Sequence, residues 1–171
     1  VATMVLTVIG EDRPGLVQTL ADVVTAHGGN WERSRMTELA GLFAGIVVIE
    51  APDDRGEAFR GALHELGGVL HVGVHHAPGR SDAPTGQVIT LELLGNDRAG
   101  IVKEVAAVFS RHGVSIDELT TDTREAPMAG GVLFEARLVA PLSDATDLDA
   151  LRADLERLAD ELMVDITLAA S

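Results

Sequence analysis

The sequence predicts an α+β protein made of two copies of one βαββαβ unit, each a four-stranded antiparallel sheet with two helices on one face. Three observations carry that expectation. The segment VIGEDRPGLVQTLADVVTAHGGNW at 8–31 recurs as LLGNDRAGIVKEVAAVFSRHGVSI at 93–116. In each half the apolar residues switch from strand alternation to a helical period and back, in the same order. The stretch APGRSDAPTG at 77–86, rich in Pro, Gly, Ser and Ala, reads as a linker. The expected division is a first domain at 1–76, the linker at 77–86 and a second domain at 87–171.

At a constant offset of 85, Gly10, Asp12, Arg13, Gly15, Val17, Ala21, Val23, His27 and Gly28 all recur. Chance leaves about two identities in a window of that length. An offset so long exceeds any solenoid period, so each copy needs a core of its own.

The elements follow in order. Val5 to Ile9 and Val88 to Leu94 are short β-rich runs, read as strands. After Asp-Arg-Pro-Gly or Asp-Arg-Ala-Gly a 3.6-residue period begins. Leu16, Leu20, Val23, Val24 and His27 form one helical stripe, and Ile101, Val105, Val108, Phe109 and His112 form its counterpart. Gly28 and Gly113 stand where a left-handed residue stops each helix. A second strand is expected from Asn30 or Ser115, and a third over Phe43 to Glu50 or Val132 to Val139, ended by Pro52 or Pro141. Charged helices come next. Phe59, Leu63 and Leu66 face inward in the first copy, and Leu148, Leu151, Leu155, Leu158 and Leu162 in the second. Each copy closes on a strand, Val69 to His75 or Val164 to Leu168. With a hairpin between the two crossovers, this order is the ferredoxin-like plan.

Composition narrows the function. Of the 171 residues 46% are hydrophobic but only 3% aromatic, so Val, Leu, Ile and Ala must build the cores. There is no cysteine, which removes disulfides, thiolate catalysis and Cys-based metal sites. No apolar run approaches the ~20 residues of a membrane helix, and no signal-like segment precedes the first strand. A cytoplasmic protein without membrane contact is expected. The net charge of −14, from 13 Lys and Arg against 27 Asp and Glu, disfavours direct nucleic-acid binding, which needs a basic stripe.

The strand-to-helix turn at Gly10 to Gly15 is the most informative local feature. Gly10 is expected to permit a sharp exit from the strand, Pro14 to occupy the first helical turn, and Asp12 to cap the helix, worth roughly 1 kcal/mol. Gly15, without a Cβ, would allow close backbone approach. The free amides and the positive end of the helix dipole then make a receptor for a carboxylate. Asn30 would add an amide side chain if a second domain abuts. The same residues are also sound chemistry for starting a helix with no ligand at all.

The pattern GEDRPGLV, an amphipathic helix, HGGNW, then β-β-α-β resembles the ACT domain. Its duplication resembles the glycine cleavage system transcriptional repressor family, over nearly the whole chain. The resemblance implies a non-catalytic small-molecule sensor that binds an amino acid, glycine or serine first, where ACT domains pair, in a homodimer. It implies action on a regulatory protein partner rather than on DNA, and no cofactor. Carried over by position, the first-copy ligand candidates are Asp12, Arg13, Pro14, Gly15, Leu16 and Asn30. The second-copy equivalents are Asn96, Asp97, Arg98, Gly100, Ile101 and Ser115. Ala99 replaces proline there and Ser115 replaces asparagine, which weakens the second site relative to the first.

Other constellations carry less. In HVGVHH, His71 and His75 share a strand face about 13 Å apart, too far to chelate one ion. His27 and His112 suit helix C-termini electrostatically. Arg33 and Arg35 lie on one side of the second strand, available to acidic groups or an anion. No nucleophile elbow, phosphate loop or metalloprotease helix is present. Two other readings stand beside the sensor: a ligand-free oligomerisation module, and an acylphosphatase-like hydrolase using Arg13 and Asn30.

Overall fold

The computed structural model describes residues 1–77, 86–128 and 130–171; the stretch 78–85 of the expected linker lies outside the described residues. The chain divides into two compact units, Val1–Ser81 and Asp82–Ser171.

The first unit runs β1 (Ala2–Glu11), α1 (Leu16–Ala26), β2 (Asn30–Leu39), β3 (Leu42–Ala51), α2 (Gly56–Glu65) and β4 (His71–His76), with short 3₁₀ turns at Asp53–Arg55 and Leu66–Gly68. Its sheet has the order β2-β3-β1-β4 and is antiparallel throughout. The second unit repeats the plan as β5 (Val88–Asn96), α3 (Ile101–Arg111), β6 (Glu118–Glu125), β7 (Val132–Pro141), α4 (Leu148–Leu162) and β8 (Val164–Ala170), in the order β6-β7-β5-β8. Both are ferredoxin-like βαββαβ domains.

Alternation explains why each sheet is covered on one face. Met4, Leu6 and Val8 of β1 are buried with Leu16, Leu20 and Val24 of α1 and Phe59 and Leu63 of α2. Leu91 and Leu93 of β5 pack in the same way with Ile101, Phe109, Leu151 and Leu155. Among the described residues no polar side chain is buried, so each core is purely apolar. Leu66 lies in the 3₁₀ turn after α2, half-buried against that core.

Two strand starts differ from the expectation for local reasons. A Cβ at Gly29 would meet a Val24 methyl at 2.9 Å, so the bare glycine hugs α1 and β2 starts at once. Val114 takes that position in the second copy and buries its side chain in the core, and β6 begins at Glu118, three residues later than its counterpart. In the first copy, Val69 and Leu70 both donate backbone N–H groups to Leu66 O, at 2.8 and 2.7 Å. That turn holds them out of the ladder until His71.

The β2–β3 hairpin turns on Ala40 and Gly41, both at positive φ (53° and 83°), as a two-residue type I′ loop requires. Helix α4 has a side-chain cap that the sequence reading did not single out: Asp147 accepts from Ala150 N–H at 3.0 Å.

Candidate functional site

Strand β1 delivers the chain to the loop before α1. Asp12 N–H donates to Gly41 O at 2.9 Å, which ties the loop to the β2–β3 hairpin. Gly15 is the N-cap of α1 at φ 91°, and its carbonyl accepts from Thr19 N–H at 2.9 Å, the first helical bond. The Thr19 hydroxyl donates to the same oxygen at 2.9 Å. By helix geometry the amides from Gly15 to Gln18 have no intrahelical acceptor. No side chain caps them, and no acidic residue lies in the first turn.

This geometry corrects the sequence reading at Asp12, Pro14 and Gly10. Asp12 does not cap the helix; the N-cap is Gly15. Pro14 precedes that cap instead of entering the first helical turn. Gly15 holds a left-handed backbone at φ 91°, which favours glycine, and a Cβ there would meet no protein atom within 4 Å. Gly10 lies inside β1, and a Cβ on it would stand 2.5 Å from Val69 O, so its role is close strand packing.

Asp12, Arg13, Gly15 and Leu16 line one open depression of about 420 Å³, together with Val17, Gln18 and Phe43. The last three were missed. Gln18 was findable as the third helical residue, whereas Phe43 enters only through its register opposite Gly10. Leu16 buries its side chain in the core, so it offers the depression only its backbone. Chemically the depression combines unsatisfied helix-start amides and an exposed guanidinium, both suited to a carboxylate, with the exposed Asp12 carboxylate, suited to an ammonium group.

Asn30 lies elsewhere. It pairs with Glu50, which is level with Thr3, whereas the loop follows Glu11 at the opposite end of the sheet. Eight strand residues separate the two levels, about 26 Å. Its side-chain amide donates to Glu32. The structure therefore does not bring Asn30 to the loop of its own unit, and Arg13 and Asn30 do not converge as a hydrolase would need.

The second copy keeps the backbone and changes the surroundings. Asn96 ends β5, Asp97 N–H donates to Val132 O at 2.8 Å, and Gly100 caps α3 at φ 94°. Arg98 is exposed and Ile101 is buried as the first helical residue. Glu104 supplies a carboxylate in the first turn of α3, which α1 lacks. That carboxylate competes with any anion for the helix start. Ser115 is exposed, ahead of β6 and at the sheet end away from Asn96.

Four of the six histidines are engaged locally. His75 Nε2 lies 3.2 Å from the Thr7 hydroxyl, and His76 Nε2 lies 3.1 Å from Arg60. His71 is paired with Ile9 in the ladder and exposed. His27 Nδ1 donates to Val23 O at 2.8 Å and its ring lies 5.6 Å from Phe59. Its repeat counterpart does something else: His112 Nε2 contacts the Asp154 carboxylate at 2.7 Å, joining α3 to α4. That hydrogen bond is the first cause holding the Asp154 carboxyl below its ordinary value, with Arg157 at 3.2 Å adding to it. Among the described residues no group of three or more side chains is placed to hold a metal ion, and no helix is long and apolar enough to cross a membrane.

Residues 2–75 and 89–160 each match a family model described as the ACT domain. Over 161 residues, 93% of this chain and 85% of the relative, the sequence is 23% identical to the glycine cleavage system transcriptional repressor of Escherichia coli (strain K12). The same figures hold for the repressor of Shigella flexneri. A crystal structure of a Galdieria sulphuraria protein described only as unknown superimposes with a TM-score of 0.88 at 30% identity, covering 99% of this chain and 98% of that one. A candidate glycine cleavage system transcriptional repressor of known structure shares the fold, with a TM-score of 0.72 at 18% identity over 99% and 97% of the two chains.

Proposed function

The chain belongs to the ACT-domain family, with two such domains in tandem, and on that footing we propose that it is a non-catalytic sensor of a small amino acid. A regulatory role is supported by the family and by the repressor relatives. The finer reading is that the first-domain loop seats the ligand carboxylate, and that the ligand state is passed to a regulatory protein partner. Glycine and serine are the first candidates, because the relative is named for control of glycine cleavage. Cytoplasmic location and a homodimer belong to the same reading.

One observation carries it. Helix α1 starts on a left-handed glycine with no side-chain cap and no acid in its first turn, beside Arg13 and above an open depression. Such a start is electrostatically incomplete, and a carboxylate completes it. Asp12 and a carbonyl-bearing side chain such as Asn30 from a second copy of the chain would take the ammonium group. Arg98 and Gly100 present a similar loop in the second copy, but Glu104 already serves that helix dipole.

Calorimetry against the twenty amino acids, comparing wild type with Gln18→Glu, tests the proposal. The new carboxylate at the third helical position favours the helix and repels a bound carboxylate, so the fold persists while binding weakens roughly tenfold or more. No heat from any amino acid, or a variant that titrates like wild type, removes the loop site. A second reading has a specific observation behind it: the Asn30 amide nitrogen already donates to Glu32 of its own strand. A ligand-free oligomerisation module would show concentration-dependent mass with no binding heat.

A further inference from the structure

The second sheet carries, on the face its helices leave uncovered, a polar row that the first sheet lacks. Across β6, β7, β5 and β8 the register aligns Thr120, Arg137, Glu92 and Thr167. These side chains share one face, because their strand neighbours Leu91, Leu93 and Leu138 are buried on the other. At the same positions the first sheet aligns Arg35, Ile46, Thr7 and Gly73. The backbone is thus duplicated, while the centre of the open face has changed from Ile and Thr to Arg and Glu.

Arg137 and Glu92 are direct cross-strand partners, with Cβ atoms about 5 Å apart in an antiparallel pair. Even so, no ion pair joins them, and neither side chain has a hydrogen-bond partner among the described residues. They flank an open depression of about 600 Å³, which Thr120, Thr167 and Asp165 also line. Glu135 nearby is already engaged, with Arg124 at 2.6 Å, and Asp122 accepts from Thr123 N–H at 2.8 Å. What stays open is one guanidinium, the Glu92 and Asp165 carboxylates, and two hydroxyls.

We propose that this open face of the second domain is a receptor for a small zwitterion of the α-amino-acid class, separate from the α1 loop. The Arg137 guanidinium takes the carboxylate through paired N–H donors, and Glu92 with Asp165 takes the ammonium group. Thr120 and Thr167 close the two ends of the row. A ligand carrying both charges a few ångströms apart bridges the gap that Arg137 and Glu92 leave between them. A ligand with one charge leaves the opposite protein charge unanswered.

The test is an amide-shift titration of the full chain with each of the twenty amino acids, in wild type and in Gln18→Glu, which disables the loop site alone. Shifts at Glu92, Thr120, Arg137 and Thr167 are expected in both proteins. Arg137→Gln and Glu92→Gln are each expected to weaken them roughly tenfold or more. N-acetylglycine and glycine amide, each lacking one charge, are expected to bind as weakly as those variants. All these side chains are surface-exposed, and an unchanged circular dichroism spectrum certifies the fold. Absence of shifts at the row for every amino acid, or variants that titrate like wild type, overturns the proposal. Shifts confined to Leu16–Gln18 would overturn it while leaving the loop reading intact.

Discussion

Gly10 and Gly15 stand five residues apart in one motif, yet replacing each by alanine should fail for different reasons and by different amounts. At Gly15 an added Cβ touches nothing within 4 Å, but the residue holds φ 91°. A left-handed L-residue costs about 1–2 kcal/mol, and the stiffer unfolded chain returns about 0.4–1 kcal/mol. Gly15→Ala should therefore lose roughly 1 kcal/mol. At Gly10 the backbone is ordinary strand, but the Cβ would lie 2.5 Å from Val69 O and 3.0 Å from a Leu70 methyl. That oxygen is backbone, pinned by the N–H bonds of Val69 and Leu70 to Leu66 O, so it cannot swing aside as a side chain would. Gly10→Ala should cost about 3 kcal/mol, the upper end for an overpacked site. Urea unfolding followed by fluorescence reads this domain alone, because the one tryptophan, Trp31, is half-buried against the first core. Equal losses in the two variants, or a larger loss at Gly15, would refute the assignment of their roles.

Two further outcomes follow from the second domain. Asp147→Ala removes the cap on Ala150 N–H and should lower stability by about 1 kcal/mol in urea unfolding, whereas Asp147→Asn should retain most of it. Asp154 sits below the ordinary 3.8 because His112 donates to it. A depressed carboxyl stabilises above its unfolded value and loses that contribution as pH falls through the folded one. Melting temperatures of wild type and Asp154→Asn should thus differ at neutral pH and converge in acid below about pH 4. Parallel curves down to pH 2 would show that the His112 contact contributes nothing.

Much of the fold was legible because alternation and helical period are strong signals in a chain this apolar. The stripe of Leu148, Leu151, Leu155, Leu158 and Leu162 marks α4 from end to end. The 85-residue offset marks the second domain by itself. Strand starts were less legible, because they turn on single residues: Gly29 against Val114 moves the start of β6, and a 3₁₀ turn at Leu66 delays β4. Local motif chemistry misassigned Gly10 and Asp12, since close approach to Val69 and the tie to Gly41 are contacts distant in sequence. For the same reason Phe43 could not be read as part of the loop depression. The row from Thr120 to Thr167 was out of reach, because only ladder register aligns residues that lie tens of positions apart.

The central claim is that the start of α1 is a carboxylate seat. Residue-resolved amide spectra of the full chain, titrated with glycine, serine and the remaining amino acids, test it most directly. At least one amino acid is expected to shift the Gly15, Leu16, Val17 and Gln18 amides saturably, and Gln18→Glu to weaken that binding roughly tenfold or more. Amides at Gly15–Gln18 that stay fixed through the whole series would contradict it.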